Sequence, residues 1–225
     1  MSRVRPAAGG GKTVEVTADR IGGWYARFTL RHDNVRTVEL STESFVVEAA
    51  DGASATASIP FPPLVLGEPP KDLATAVELV LEHLRRPRLV GLVLVRLGGH
   101  SVGIARDGKV LVSATDHLPV HGRNRAGGWS QQRFARRRAG QARVAVQHAA
   151  ADVRRVLGPR VGELSAVILG GDAHELAELR AEPGLAEVFA KARPRVLDVP
   201  QPRRAVLDEA ARRVFGLEIL VREPN

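Results

Sequence analysis

The segment Leu89-Val90-Gly91-Leu92-Val93-Leu94-Val95 limits the fold more than any other part of the chain, because it has no polar position and therefore no solvent face. A strand of this kind has to be covered on both sides, which is the habit of α/β sheets flanked by helices. Seven residues are also too few to span a bilayer, and the start Met1-Ser2-Arg3-Val4-Arg5-Pro6 has no apolar core of a secretory signal. Neither a membrane span nor secretion is expected.

The surrounding pattern fits that requirement. Strands are predicted at 101–105 and 109–114, joined by Gly98-Gly99 and Asp107-Gly108 turns, followed by a basic loop at 117–129 and a long helix from about Ser130 to Leu157. Leu164–Leu169 reads as a further buried strand ending at Gly170-Gly171-Asp172, where Asp172 and Glu175 have capping-box spacing. A helix near 184–192, a strand at 195–199, a helix at 203–215 and a strand at 217–221 complete an α/β order that begins with meandering strands.

Ahead of this, residues 13–66 carry a short strand, then Ile21, Trp24, Tyr25 and Phe28 at helical spacing, then strands near 35–40, 44–50 and 53–59 with an Asp51-Gly52 turn. The aromatic stripe reads as core. Residues 1–12 are expected as a flexible tail, and the prolines of Pro60-Phe61-Pro62-Pro63 and Gly67-Glu68-Pro69-Pro70 as a linker. Asp72 then caps a helix bearing Leu73, Val77, Val80, Leu81 and Leu84. The expected divisions are thus a tail at 1–12, an α+β region with its linker at 13–70, and a catalytic domain at 71–225. Gly9-Gly10-Gly11-Lys12-Thr13 ends like a phosphate loop, but Pro6 stands where such a loop needs its first glycine and Val14-Glu15-Val16 alternates like a strand.

Charge is unevenly placed. The chain has 33 basic and 25 acidic residues, a net charge of +8. No acid lies between Asp116 and Asp152, yet seven arginines do, at 123, 125, 133, 136, 137, 138 and 143; the remainder holds 26 basic and 25 acidic residues. One segment therefore carries nearly all the net charge, as expected of a surface that meets phosphate. The chain has no cysteine, which excludes thiol nucleophiles, cysteine-ligated zinc and iron–sulfur clusters and fits a cytoplasmic location.

Within that segment, the string running from His121-Gly122-Arg123 through Gly127-Gly128, Ser130, Arg133-Phe134, Arg136 and Arg138 resembles the catalytic domain of the eukaryotic and archaeal class I peptide-chain release factors. The resemblance covers roughly residues 89–220. Trp129 stands where those factors have glutamine, whereas Gly128-Trp129-Ser130-Gln131 is similar to the Vms-like release factors, the peptidyl-tRNA hydrolases of ribosome quality control, which have actinobacterial members. The resemblance implies a ribonuclease H-like mixed sheet with flanking helices. It implies hydrolysis of the nascent peptide–tRNA ester on stalled large ribosomal subunits, with Gln131 or Gln132 and the backbone of Gly127 and Gly128 at the ester. Arg123, Arg125, Arg133, Arg136, Arg137 and Arg138 would contact ribosomal RNA or tRNA, and Trp129 would either stack on a base of that RNA or pack beneath the loop. It implies no metal or other cofactor, and a monomer off the ribosome. Decoding in the related termination factors belongs to a separate N-terminal domain, and a further C-terminal domain binds a partner; neither is recognised here, so codon-independent action is expected.

The chemistry suits these residue types. A glutamine amide can orient water without carrying charge, backbone N–H groups can hold the oxyanion, and the tRNA ribose hydroxyl can relay the proton. Glycine permits close approach and positive φ.

Two alternatives remain open. Asp116, Asp172 and Asp198 at strand ends fit a metal-dependent nuclease, and the basic segment alone fits a non-catalytic RNA-binding module. His117 and His121 read as loop residues, His100 and His174 as surface residues, and Arg85-Arg86 and Arg203-Arg204 as solvated helix ends.

Overall fold

The computed structural model describes the backbone of residues 3–117 and 129–224, with side chains for 3–117 and 140–224. Its contacts divide the chain into two compact units, Met1–Pro87 with Arg212–Asn225, and Arg88–Ala211.

In the first unit the strands β1 (Arg3–Pro6), β2 (Lys12–Val16), β3 (Val35–Leu40), β4 (Ser44–Ala49) and β5 (Ser54–Ser58) follow the alternating pattern, together with the helices α1 (Ile21–Arg31) and α2 (Leu73–Arg85). The sheet order is β1-β2-β11-β5-β4-β3, every pairing antiparallel, where β11 is Leu217–Arg222. Alternate residues of β4, β5 and β11 are buried, so one face of the sheet carries the core. That face packs Ile21, Tyr25 and Phe28 of α1 and Ala76, Val77, Val80 and Leu84 of α2. The Asp72 carboxylate accepts from the Thr75 N–H at 2.7 Å and so caps α2 as its sequence requires.

Three expectations change here. Residues 3–6 are a strand paired with β2, rather than part of a tail, because the Gly9-Gly10-Gly11 run takes positive φ and turns the chain back. That same turn leads into a strand and not a helix, so the phosphate-loop likeness ends there. The Pro-rich stretch is more than a spacer, since Phe61 and Leu64 are buried and the Leu64 N–H donates to the Thr42 carbonyl at 2.8 Å. The division consequently falls at Pro87, with α2 and β11 in the first unit rather than in a domain spanning 71–225.

The second unit is the α/β part. Strands β6 (Leu89–Arg96), β7 (Gly99–Arg106) and β8 (Lys109–His117) form an antiparallel meander. After α3 (Trp129–Leu157) and a short 3-10 stretch come β9 (Ala166–Gly171), α4 (Ala173–Arg180), α5 (Ala186–Ala190), β10 (Ala192–Leu197) and α6 (Arg204–Arg213). The sheet order is β10-β9-β6-β7-β8, with β9 parallel to β6 and β10 parallel to β9. Residues 89–95 of β6 are all buried, as their composition demands. On one face Val93 and Val95 meet Val146, Ala149, Ala150 and Val153 of α3 and Leu176 and Leu179 of α4. Gly103 keeps β7 open to α6, since a Cβ there would stand 2.8 Å from Leu207 Cδ2. Gly171 takes φ +107°, and a Cβ would come within 1.9 Å of the Val95 carbonyl oxygen, so only glycine fits.

The first unit holds one nearly buried ion pair, a two-pronged Arg213–Glu15 contact at 2.8 and 2.9 Å. Removing one partner strands the other charge, so Glu15→Ala should lower the unfolding free energy by about 3–5 kcal/mol. Replacing both by apolar residues, Glu15→Leu with Arg213→Met, should cost far less, as read by urea denaturation.

Candidate functional site

The arginine-rich segment leaves β8 after His117 and enters α3 at Trp129. Arg123, Arg125, Gly127 and Gly128, with His121, lie outside the described residues. Trp129, Gln131, Gln132, Arg133, Arg136, Arg137 and Arg138 belong to the first turns of α3, and their side chains lie outside the described ones. Among the described residues the buried stripe of α3 starts only at Ala145 and runs through Val146, Ala149, Ala150, Val153, Val156 and Leu157. Gln131 is fourteen residues ahead of it, about 21 Å along the axis at the usual helical rise. Small apolar side chains thus moor the C-terminal half of α3 to the sheet, and the other half carries Gln131 away from that anchorage.

Two imidazoles, two carboxylates and a guanidinium lock the moored half to the end of the β7–β8 hairpin. His100, 3% exposed, places Nε2 2.9 Å from Asp152 Oδ2, and Arg155 donates to the other oxygen of Asp152 at 2.6 Å. His148 Nδ1 lies 3.2 Å from Asp116 Oδ2. His100 and Asp116 are direct cross-strand partners, while His148 and Asp152 are four apart on α3, so two strand neighbours meet two neighbours on one helix face. Ser101 and Thr115 join hydroxyls at 2.6 Å beside them.

This corrects the expectation that His100 is a surface residue. Its partner is 52 residues away, and the signal available in the sequence was the His148/Asp152 spacing on an otherwise acid-free helix. His117 Nδ1 lies 3.4 Å from Gln201 Nε2, and His174 is exposed.

The cluster settles its own charges. The hydrogen bond with His148 holds the Asp116 carboxyl below the ordinary carboxylate range against an opposing effect of burial. Burial pushes Asp152 upward, but the hydrogen bonds with His100 and Arg155 outweigh it and the net direction is down. Glu175 moves the other way, raised chiefly by desolvation in the first turn of α4.

The three carboxylates of the nuclease alternative do not converge. Because β7 runs against both β6 and β8, the ends of β8, β9 and β10 lie at the same edge of the sheet. However, β8 stands three strands from β9 and four from β10 in the sheet order, roughly 14 and 19 Å at normal strand spacing. A two-metal site needs its ions about 4 Å apart. Asp172 is occupied as the N-cap of α4, accepting from the N–H groups of His174 and Glu175 at 2.9 and 3.3 Å. Among the described residues, no group of three or more carboxylate and imidazole side chains is arranged to hold a metal ion, and no helix is long and apolar enough to cross a membrane.

A mixed five-stranded sheet, helices on both faces and a 29-residue helix preceded in sequence by a basic, glycine-containing segment define an α/β domain. The family model for the Actinobacteria/chloroflexi VLRF1 release factor matches residues 88–220, more than half of the chain, and the protein belongs to that family. No curated protein matches the chain. Among solved structures it is similar to an archaeal translation termination factor, aRF1, at 13% identity and a TM-score of 0.40, covering 73% of this chain and 47% of that one. It is also similar to Dom34 of S. cerevisiae, a translation termination-like factor involved in RNA quality control, at 6% identity and a TM-score of 0.34 over 92% of this chain and 65% of that one. Pelota from Archaeoglobus fulgidus gives 14% identity and a TM-score of 0.34 over 95% and 65%. The chain thus spans about half the length of the first and under two thirds of the other two.

Acidification tests the charged cluster. A carboxyl whose folded-state value is depressed contributes stability that is fully present above its unfolded value of about 4 and is lost as pH falls toward the folded value. Asp116→Asn with Asp152→Asn should therefore flatten the acid limb of stability below about pH 4, measured by urea denaturation across that range. An acid limb as steep as in the unaltered protein would mean that other carboxylates govern it.

Proposed function

We propose that this protein is a peptidyl-tRNA hydrolase of ribosome rescue, cleaving the ester between nascent peptide and tRNA on stalled large ribosomal subunits. The observation that carries the reading is the family match over residues 88–220, which includes the whole string from His121 to Arg138. The ribonuclease H-like reading of the second unit is supported by its sheet order, a three-stranded antiparallel meander with two parallel strands added beside the first.

In this reading water adds across the ester, giving the peptide a carboxylate and the tRNA ribose a free hydroxyl. Gln131 orients the water through its uncharged amide. Backbone N–H groups around Gly127 and Gly128 receive the developing oxyanion, and the unpaired N–H groups in the first turn of α3 add favourable potential there. One proton of the attacking water passes to the ribose oxygen by way of the neighbouring ribose hydroxyl and the other leaves to solvent as the new carboxylic acid ionises, so no ionising side chain is required. The step uses no metal held by this chain. Arg123, Arg125, Arg133, Arg136, Arg137 and Arg138 bind ribosomal RNA and tRNA phosphates, and Trp129 lies against the same surface. The absence of acids from 117 to 151 supports that assignment, as does the engagement of Asp116 and Asp152 by imidazole and guanidinium groups. The protein would act from the cytoplasm as a monomer before it meets the ribosome.

The direct test is peptide release from isolated large subunits carrying peptidyl-tRNA, compared with whole ribosomes programmed with stop or sense codons. Release is expected from the isolated subunits without regard to codon, and strict dependence on a stop codon would sink the rescue reading. Gln131→Ala should lower the rate about 10²–10³-fold, the scale of losing one positioning or oxyanion-binding group, and Gln132→Ala should do less. The reverse order would move the essential amide to Gln132.

Replacing Arg136, Arg137 and Arg138 together should weaken binding to the subunit and flatten its salt dependence, each lost phosphate contact removing about 0.7–0.9 from the log–log slope. An unchanged slope in a folded variant would mean that these three are a solvated helix face.

A further inference from the structure

The first unit has a half-open cleft of about 380 Å³ between α1 and the β1-β2-β11 side of its sheet. The wall is one stripe of α1, residues 24, 27, 28 and 31, spaced i, i+3, i+4 and i+7. Trp24 and Phe28 stack there with centroids 5.6 Å apart and planes 14° apart, and Trp24 remains only partly buried, so the aromatic stripe is not wholly core. The floor is apolar. Val4 and Val14 are cross-strand partners, Val221 completes the surface, and Val4 on the edge strand is 62% exposed. Arg27 and Arg31 stand exposed on the rim one helical turn apart, about 6 Å in rise; neither has a carboxylate within 4 Å among the described residues, and Arg31 is in electrostatic range of Glu223. The acid in the cleft, Glu223, is taken up by Lys12 and lies 3.7 Å from His32 Nε2.

An apolar floor with a part-exposed indole suits a planar ring, and two exposed guanidinium groups beside it suit phosphates. The volume is right for a nucleotide, since small-ligand pockets run from about 300 to 1,000 Å³. Both arginines are on the open rim rather than closed around a point, which fits successive phosphates of a polymer better than the terminal phosphate of a free nucleotide. Aromatic platforms beside a basic track are how proteins hold single strands with little sequence preference. We propose that this cleft is a second RNA-binding site, taking a single-stranded RNA segment with one base against Trp24 and adjacent phosphates on Arg27 and Arg31. The inference goes beyond the hydrolase reading and does not depend on Gln131.

The experiment is titration of a fluorescein-labelled single-stranded RNA of about ten nucleotides, a length within the usual site size of such proteins, over a range of salt concentrations into the full chain carrying Arg136→Ala, Arg137→Ala and Arg138→Ala, so that the RNA contacts proposed for the start of α3 do not mask the cleft. Arg27→Ala with Arg31→Ala should weaken binding about tenfold or more and reduce the log–log salt slope by about 1.4, the value for two single-strand phosphate contacts. Trp24→Ala should weaken binding with the slope unchanged, because a stacking contact carries no charge. Should that variant fail to fold, the double arginine variant decides alone, since both of its positions are exposed. A slope that stays the same in the folded double variant overturns the proposal. Displacement of the RNA by AMP at equal concentration overturns the choice of a polymer. A glutamate-rich peptide whose binding is lost in the double variant while RNA binding is kept overturns the choice of RNA. Gln131→Ala should leave all these titrations unaltered, so failure of this site and failure of the hydrolase reading are separate results.

Discussion

Burial of β6 on both faces is the condition on which the second unit depends. A strand with no solvent face cannot sit at an edge, and it occupies the middle of β10-β9-β6-β7-β8. It also needs a cover on each side. On one side that cover is α3 and α4, through Val93 and Val95; on the other, a glycine at position 103 of the neighbouring strand makes room for Leu207 of α6. Each buried aliphatic side chain is worth about 1.5–3 kcal/mol relative to exposure, so the six valines and leucines of 89–95 contribute heavily to the stability of their layer. Mooring α3 by alanine and valine from Ala145 onward is a by-product of covering β6. Among the described side chains, the cover drawn from this 29-residue helix comes from Ala145 onward, and the arginine-rich segment lies ahead of it in the sequence.

Charge follows the same division of labour. The acid-free stretch is bounded by Asp116 and Asp152, and each carboxylate is engaged by cationic or imidazole neighbours. Neither projects an uncompensated negative field beside the arginine-rich segment. The same contacts tie the open end of the hairpin, where the chain leaves β8, to the C-terminal part of α3.

Local pattern was enough to read most elements. Strands at 35–40, 44–49 and 89–96, the α2 cap at Asp72, the α4 cap at Asp172 and the long helix ending at Leu157 all express periodicity or capping within a few residues. What escaped was non-local. Nothing near Leu217–Arg222 says that it inserts between β2 and β5, a pairing that spans some two hundred positions. Nothing near His100 names Asp152, and the prolines around Phe61 and Leu64 concealed two buried side chains. The candidate site reverses the relation. Its string of glycines, glutamines and arginines is explicit in the sequence, whereas the geometry that would separate Gln131 from Gln132 belongs to side chains outside the described ones.

The insertion of β11 sets an order on biosynthesis. Chains emerge N-terminus first and domains fold as units during synthesis. The second unit, Arg88–Ala211, is continuous and has all of its strands as soon as its own residues have emerged. The first unit begins earlier but cannot close its sheet, because β2 and β5 have no neighbour on their inner edges until residues 217–222 arrive. Two unpaired strand edges therefore wait through the synthesis of the intervening residues, and edges of that kind invite pairing with other chains. Strand 217–222 completes a sheet whose other strands lie within residues 3–58, so a transcript truncated ahead of codon 217 would leave the α/β unit intact and the other half open.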